Sequence, residues 1–194
     1  MRAVFASRNT HKTEQVTRLL EDVDLVPLDE ISPGLLLTEP YDTFEANALA
    51  KARVVAAATG LPAIADDSGL EVDALGGAPG VRSARYAGEG ASDADNNRKL
   101  VAELRRIAAA ELVCRYRCVA ALVSPEGAEL VAHGRCDGEI VLHGRGDLGF
   151  GYDPHFVPRG ETRTMAEIPL EEKLAFSHRG RAFRELARRM RAAQ

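Results

Sequence analysis

Four short polar clusters in the 194-residue chain hold the residue types needed for chemistry on an anionic substrate. The first is Ser7-x-Asn9-x-x-Lys12, where an apolar stretch (residues 2–6) meets a helical pattern. A helix opening there presents unpaired backbone N–H groups and partial positive charge, a ready seat for an anion, and Lys12 adds a full charge. Simple capping by Ser7 or Asn9 is the plainer reading of the same residues. The second cluster is Asp66-Asp67-Ser68-Gly69, after the apolar Ala63-Ile64-Ala65. Adjacent carboxylates repel, and a divalent cation removes that problem; oxygen-only ligands suit magnesium. Successive side chains of an extended strand point to opposite sides, so one carboxylate is central unless the chain bends at Ser68-Gly69. An Asx-turn at a strand exit is the ordinary alternative. Glu39 is a further carboxylate ahead of the next helix.

The third cluster, Gly149-Phe150-Gly151-Tyr152-Asp153-Pro154, flanks an aromatic with glycines, so that its ring is open to a flat ligand or packs at a tight turn. Base stacking on such a ring contributes roughly 1–3 kcal/mol. The spacing Gly144-x-Gly146-x-x-Gly149 matches a dinucleotide fingerprint, but Tyr152-Asp153-Pro154 stands where the required helix would begin. The fourth cluster joins Lys173 to Ser177-His178-Arg179-Gly180. Cations before a helix oppose its dipole, so His178 and Arg179 need another reason to be there.

These clusters require elements to hold them. Residues 2–6 read as a strand, and Val16, Leu19, Leu20 and Val23 as one face of a helix. Thr43 to Thr59 reads as the strongest helix, capped by Thr43, stopped by Gly60 and facing inward through Phe44, Ala48, Ala52 and Val55. A brief strand, 63–65, ends at the paired aspartates, and 76–90 reads as a loop. Ser92 with Asp93 and Asp95 starts a helix whose inner face is Leu100, Val101, Leu104, Ile107 and Ala108. Strands at 118–123 and 130–140 form a hairpin through Ser124-Pro125-Glu126-Gly127, the second arm alternating Leu130, Ala132, Cys136 and Ile140 against charged neighbours. A last helix carries Phe183, Leu186, Ala187 and Met190. The mixture indicates an α/β fold with a mixed sheet.

The bulk numbers narrow the functional classes. The length suits one domain, residues 1–194, with room for two lobes. A net charge of −4 gives no global field for a nucleic-acid polymer, so an anionic substrate must meet local cations. No apolar run approaches the roughly 20 residues of a membrane span. Cys114, Cys118 and Cys136 form no paired framework and read as reduced core thiols, which points to the cytoplasm.

Taken in order, the clusters resemble the inosine/xanthosine triphosphate pyrophosphatases, the family that acts on non-canonical purine nucleoside triphosphates. The matching stretches are Ser7-x-Asn9-x-x-Lys12, Thr43-Phe44-x-x-Asn47-Ala48-x-x-Lys51-Ala52, and Leu61-Pro62-Ala63-Ile64-Ala65-Asp66-Asp67-Ser68-Gly69-Leu70. They continue with Gly76-Gly77-Ala78-Pro79-Gly80-Val81-x-Ser83-Ala84-Arg85-Tyr86, the Gly149–Pro154 cluster, and Glu172-Lys173-x-x-x-Ser177-His178-Arg179-Gly180. The resemblance implies an elongated, two-lobed α/β fold with a long mixed sheet flanked by helices and an active cleft between lobes, usually as a homodimer. It implies Mg²⁺-dependent hydrolysis of dITP, ITP and XTP to the monophosphate and pyrophosphate. Asp67 is then general base and metal ligand, and Ser68 contacts substrate. Ser7, Arg8, Asn9, Thr10, His11, Lys12 and Lys173 hold phosphates; Phe150, Gly151, Tyr152, Asp153, His178 and Arg179 hold the base. The second metal carboxylate falls on Glu39, with Asp42 the alternative, because Glu39-Pro40-Tyr41-Asp42 departs from the family's usual Glu-Thr-Gly. Ala46 and Gln15 stand where Glu is frequent.

Overall fold

The computed structural model describes residues 1–108 and 110–193. Among them six strands form one mixed sheet in the order β2-β1-β3-β4-β5-β6. The strands are β1 (Arg2–Phe5), β2 (Asp24–Pro27), β3 (Ala63–Val72), β4 (Val113–Val123), β5 (Glu129–Ile140) and β6 (Phe156–Pro158). The helices are α1 (Thr10–Leu19), α2 (Leu28–Ile31), α3 (Phe44–Thr59), α4 (Asp93–Arg106), α5 (Leu170–Phe176) and α6 (His178–Ala192). β1 pairs in parallel with β2 and β3, whereas β5 and β6 are antiparallel. No helix of the described residues is long and apolar enough to cross a membrane.

The chain forms two compact units. The first comprises 1–67, 118–134 and 178–194. Strand alternation decides its layering. Ala3 and Phe5 of β1 and Ile64 of β3 pack with Val16 of α1, with Leu20 just beyond its end, and with Phe183, Leu186 and Met190 of α6. Val4, Ala6, Ala63 and Ala65 turn the other way, toward Ala52, Val55 and Ala56 of α3. Each of these apolar side chains is at most 8% exposed. α3 has the expected ends: Thr43 Oγ1 accepts from the Ala46 N–H at 3.2 Å, and Gly60 takes the left-handed conformation, φ 66°. Gly134 in β5 has no room for a side chain, because a Cβ would overlap the His178 carbonyl at the start of α6.

The second unit comprises 68–117 and 135–177. Its core gathers Leu70 and Val72 of β3, Leu100 and Leu104 of α4, Tyr116 of β4, and Phe156 and Met165. Ser92 caps α4 reciprocally with Asp95, a capping box. That helix ends at Arg106, so Ile107 and Ala108 fall beyond it and are exposed, unlike the inner face expected of them. The 76–90 stretch is not loop throughout, since Gly80–Arg85 winds into a 3₁₀ segment. The hairpin turn is as expected, with the Gly127 N–H donating to the Ser124 carbonyl at 3.0 Å. β5 buries Ala132, Cys136 and Ile140 while His133, Arg135 and Glu139 are exposed. All three cysteines are buried thiols outside any disulfide.

One expectation fails at an instructive place. The strand carrying the paired aspartates does not stop at Ala65; β3 runs unbroken through Asp66-Asp67-Ser68-Gly69 to Val72. Turn-forming composition is overridden because the two carboxylates find partners across the fold.

Candidate active site

β3 alternation sends the adjacent aspartates into different surroundings. Asp66 shares the parity of Ile64 and faces α1 and α6. Its side chain is fully buried, and both carboxylate oxygens lie 3.1 Å from Lys12 Nζ. Arg179 Nε and Nη2 approach Oδ2 at 3.4 Å, and Cys118 Sγ lies 4.0 Å from it. Burial alone would raise its pKa; Lys12, Arg179 and Lys51 outweigh that and hold it well below the ordinary carboxylate range. Asp66 is therefore a fixed anion that gathers cations.

Asp67 shares the parity of Ala65 and faces α3. Its Oδ2 accepts from Asn47 Nδ2 at 3.0 Å. Burial pushes its pKa up to about 6, with help from the Glu39 carboxylate and against the pull of Lys51 and Lys12. Two carboxylates that raise each other's cost of ionisation make a donor set for a hard cation. Among the described residues no group of three or more His, Cys, Asp or Glu could hold a metal. A two-carboxylate site fits magnesium, which usually keeps several waters and takes its remaining oxygens from phosphates.

Lys51 links the two sides. This buried α3 ammonium pairs with Glu39 and donates to the Asp66 carbonyl at 2.7 Å. Although burial works against the ammonium form, Glu39, Asp66 and Asp67 raise its pKa, and Lys51 in turn lowers that of Glu39. Asp42 is exposed, three residues from Glu39.

Ser7 to Lys12 form the opening of α1. Asn9 is the N-cap, accepting from the Lys12 N–H at 3.0 Å, and Ser7 Oγ accepts from the Asn9 N–H at 3.2 Å. The first turn carries no acidic residue, so its positive end is uncompensated from within the helix. Thr10 and His11 are exposed there. Arg8 turns to the 29–35 segment, donating to Asp29 at 2.8 Å and to the carbonyls of Pro33 and Leu35. His178 and Arg179 begin α6 and are buried, and Arg179 Nη1 donates to Gln15 Oε1 at 2.9 Å. Burial, with Arg179 beside it, keeps His178 neutral by pushing its pKa well below the usual value.

The second unit has its own polar centre. Lys173 of α5, 5% exposed, pairs with Asp153 at 3.1 Å. Asp153 also accepts from the Tyr116 hydroxyl at 3.2 Å, and burial raises its pKa despite Lys173. The 149–153 loop is clamped by α4: the Gly151 N–H donates to Asp93 at 2.6 Å, and its carbonyl accepts from Asn97 Nδ2 at 2.8 Å. Tyr152 is buried and donates to the Ser83 carbonyl at 2.8 Å; Phe150 and Ser68 are half-buried. Gly149, at φ +87°, is obligatory, since a Cβ would overlap Asp153 Oδ2 and lie 2.5 Å from Lys173 Nζ. Gly149→Ala is expected to displace that ion pair, cost about 1–3 kcal/mol and lower kcat/KM at least tenfold. Unchanged kinetics in the folded variant would show that the pair does not matter to activity.

Lys51, Asn47, Gln15 and Tyr116 carry no site role on sequence reading, yet all four join these networks. Asn47 and Lys51 did leave a signal: two polar residues four apart beside the apolar stripe of α3.

A model described as the Ham1 family matches residues 3–189. The chain is 48% identical over 189 residues to the dITP/XTP pyrophosphatase of Syntrophobacter fumaroxidans, spanning 95% of this chain and 80% of that protein. It is 49% identical over 183 residues to the dITP/XTP pyrophosphatase of Geobacter sulfurreducens, spanning 93% and 92%. Among solved structures, a HAM1 protein from Coxiella burnetii superposes with a TM-score of 0.91 at 41% identity over 99% of each chain. The Staphylococcus aureus Ham1 protein gives 0.90 at 36% identity over the full length of both. With sequence likeness and shared fold agreeing across nearly its whole length, the chain belongs to the Ham1 family.

Proposed function

We infer that the chain hydrolyses non-canonical purine nucleoside triphosphates, dITP/ITP and XTP, to the nucleoside monophosphate and pyrophosphate. The observation that carries this reading is the division of labour in β3, where Asp66 gathers cations while burial on the opposite face raises the pKa of its neighbour Asp67 to about 6. The relatives named dITP/XTP pyrophosphatase supply the substrate class.

Asp67 orients and deprotonates a water for in-line attack at the α-phosphorus, a task that favours a base titrating near the working pH. Pyrophosphate leaves, with the proton taken up by Asp67. Glu39 and Asp67 would hold Mg²⁺, which when bound would supply charge neutralisation at the triphosphate. Glu39 is the better second ligand than Asp42, being in electrostatic contact with Asp67. Lys12, the α1 opening (Ser7 to His11) and Lys173 neutralise phosphates, and Ser68 contacts the substrate. Arg8 serves indirectly, by fixing the 29–35 segment. Phe150 to Asp153, with His178 and Arg179, receive the base, and donors there favour a 6-oxo purine. The enzyme acts in the cytoplasm, where its three cysteines stay reduced, and as a homodimer, as the family resemblance implies.

A pyrophosphate-release panel of dITP, XTP, dGTP and dATP, with and without Mg²⁺, tests this. Turnover of dITP and XTP should require the metal, and dATP should be slower by up to about a hundredfold for each donor left facing a donor. Equal efficiency on all four would sink the selective reading, and metal-independent turnover would remove the Glu39–Asp67 site.

A further inference from the structure

We propose that Asn47 is a positioning residue that holds the two metal-binding carboxylates in one arrangement by tying Asp67 to the segment bearing Glu39. This rests on the metal site proposed above and extends it to a residue that contacts neither substrate nor metal.

Asn47 lies on α3, has no exposed surface, and spends its whole amide on this task. Oδ1 accepts from the Tyr41 N–H at 2.9 Å. Nδ2 donates to the Tyr41 carbonyl at 3.0 Å and to Asp67 Oδ2 at 3.0 Å. One side chain thus reads both backbone groups of Tyr41, two residues beyond Glu39, and fixes one oxygen of Asp67. Reversing the amide would set its oxygen against the Tyr41 carbonyl and the Asp67 carboxylate, so only one orientation is satisfied. Thr43 caps α3 at its first turn and Lys51 reaches Glu39 one turn beyond Asn47, so α3 is the rigid mount for the whole arrangement. A plain buried asparagine would need only any three partners. This one takes the general base and the backbone beside the second carboxylate. Residues holding metal ligands in this way typically alter metal affinity or activity by about 10–100-fold when removed.

The test is Mn²⁺ affinity, followed by electron paramagnetic resonance on the nucleotide-free protein, for wild type, Asn47→Ala and the shape-retaining Asn47→Leu. Met190→Ala, in the first unit's core at α6, is the stability control. The Asn47 variants are expected to bind Mn²⁺ about 10–100-fold more weakly, and Met190→Ala within twofold of wild type. A folded Asn47 variant with wild-type Mn²⁺ affinity overturns the proposal, as does an equal loss in Met190→Ala. If neither Asn47 variant folds, the Asn47 side-chain amide resonances of wild type decide. They should shift on Mg²⁺ addition in step with saturation, and their indifference to Mg²⁺ overturns the proposal. Pyrophosphate release from dITP separates the two readings. Wild type that binds Mn²⁺ through an Asn47-dependent site but releases no pyrophosphate fails the substrate assignment alone. An active wild type whose Asn47 variants retain Mn²⁺ fails this inference alone.

Discussion

Asp67→Asn is expected to lower kcat at least a hundredfold and, in the metal-free protein at pH 7.5, to raise the melting temperature. The first effect follows from removing a general base, which typically contributes 10²–10⁴-fold. The second follows from the same burial that suits Asp67 to the task. With a folded pKa of about 6 against an ordinary 3.8, the folded protein binds this proton more tightly than the unfolded chain does. Both states are protonated well below pH 3.8, where the group costs nothing. As pH rises from 3.8 to 6 the unfolded chain ionises first and stability is lost; above 6 the full penalty applies. It amounts to at most about 3 kcal/mol. Asparagine resembles the protonated acid, so the variant should gain roughly 2–12 °C at pH 7.5 and about a third as much at pH 4.5.

Metal works against that ranking. A cation that binds only the folded state stabilises it in proportion to the logarithm of its concentration over Kd. Mg²⁺ should therefore raise the melting temperature of wild type and leave Asp67→Asn nearly unmoved. Thermal melts at pH 4.5 and 7.5, with and without excess MgCl₂, check all arms. A variant less stable than wild type at pH 7.5 without metal would mean that Lys51 outweighs desolvation. A turnover within tenfold of wild type would remove Asp67 from the centre of the chemistry.

The parts of this site that sequence reveals are those whose cause is local. α3 is bounded by Thr43 and Gly60, whose side-chain oxygen and conformational freedom act within one turn, and its inner face follows from a 3.6-residue period. β5 declares itself by alternation. β3 does not, because Asp66-Asp67-Ser68-Gly69 has turn-forming composition and the forces that keep it extended come from afar. Lys12 lies 54 residues away and Arg179 113. Lys173 and Lys51 look like solvated helix positions for the same reason: only the fold brings Asp153 and Glu39 to them. Resemblance supplied the names of several of these residues. It did not say that Asp66 and Asp67 would do opposite electrostatic work, which follows from strand parity once the strand is known to continue.

Asp66→Asn should accordingly shift stability the other way. Asp66 has a depressed pKa, so its contribution is fully present above the ordinary carboxylate value of 3.8 and is lost only as pH falls through the lower folded value. At neutral pH the substitution leaves Lys12 and Arg179 without the buried anion that both approach. Removing one partner of such a buried cluster typically costs 3–5 kcal/mol, because the remaining charges stay desolvated. The melting temperature should fall by roughly 6–20 °C at pH 7.5. The loss should shrink in strong acid, where wild type protonates Asp66 as well. Lys12 would also lose the contact that aims it, so kcat/KM for dITP should drop at least tenfold even where the protein is folded. Two neighbouring carboxylates, each replaced by its amide, are thus expected to move the melting temperature in opposite directions. Shifts of the same sign at pH 7.5 would mean that β3 does not separate a structural anion from a chemical one, and the assignment of Asp67 as base would lose its physical support.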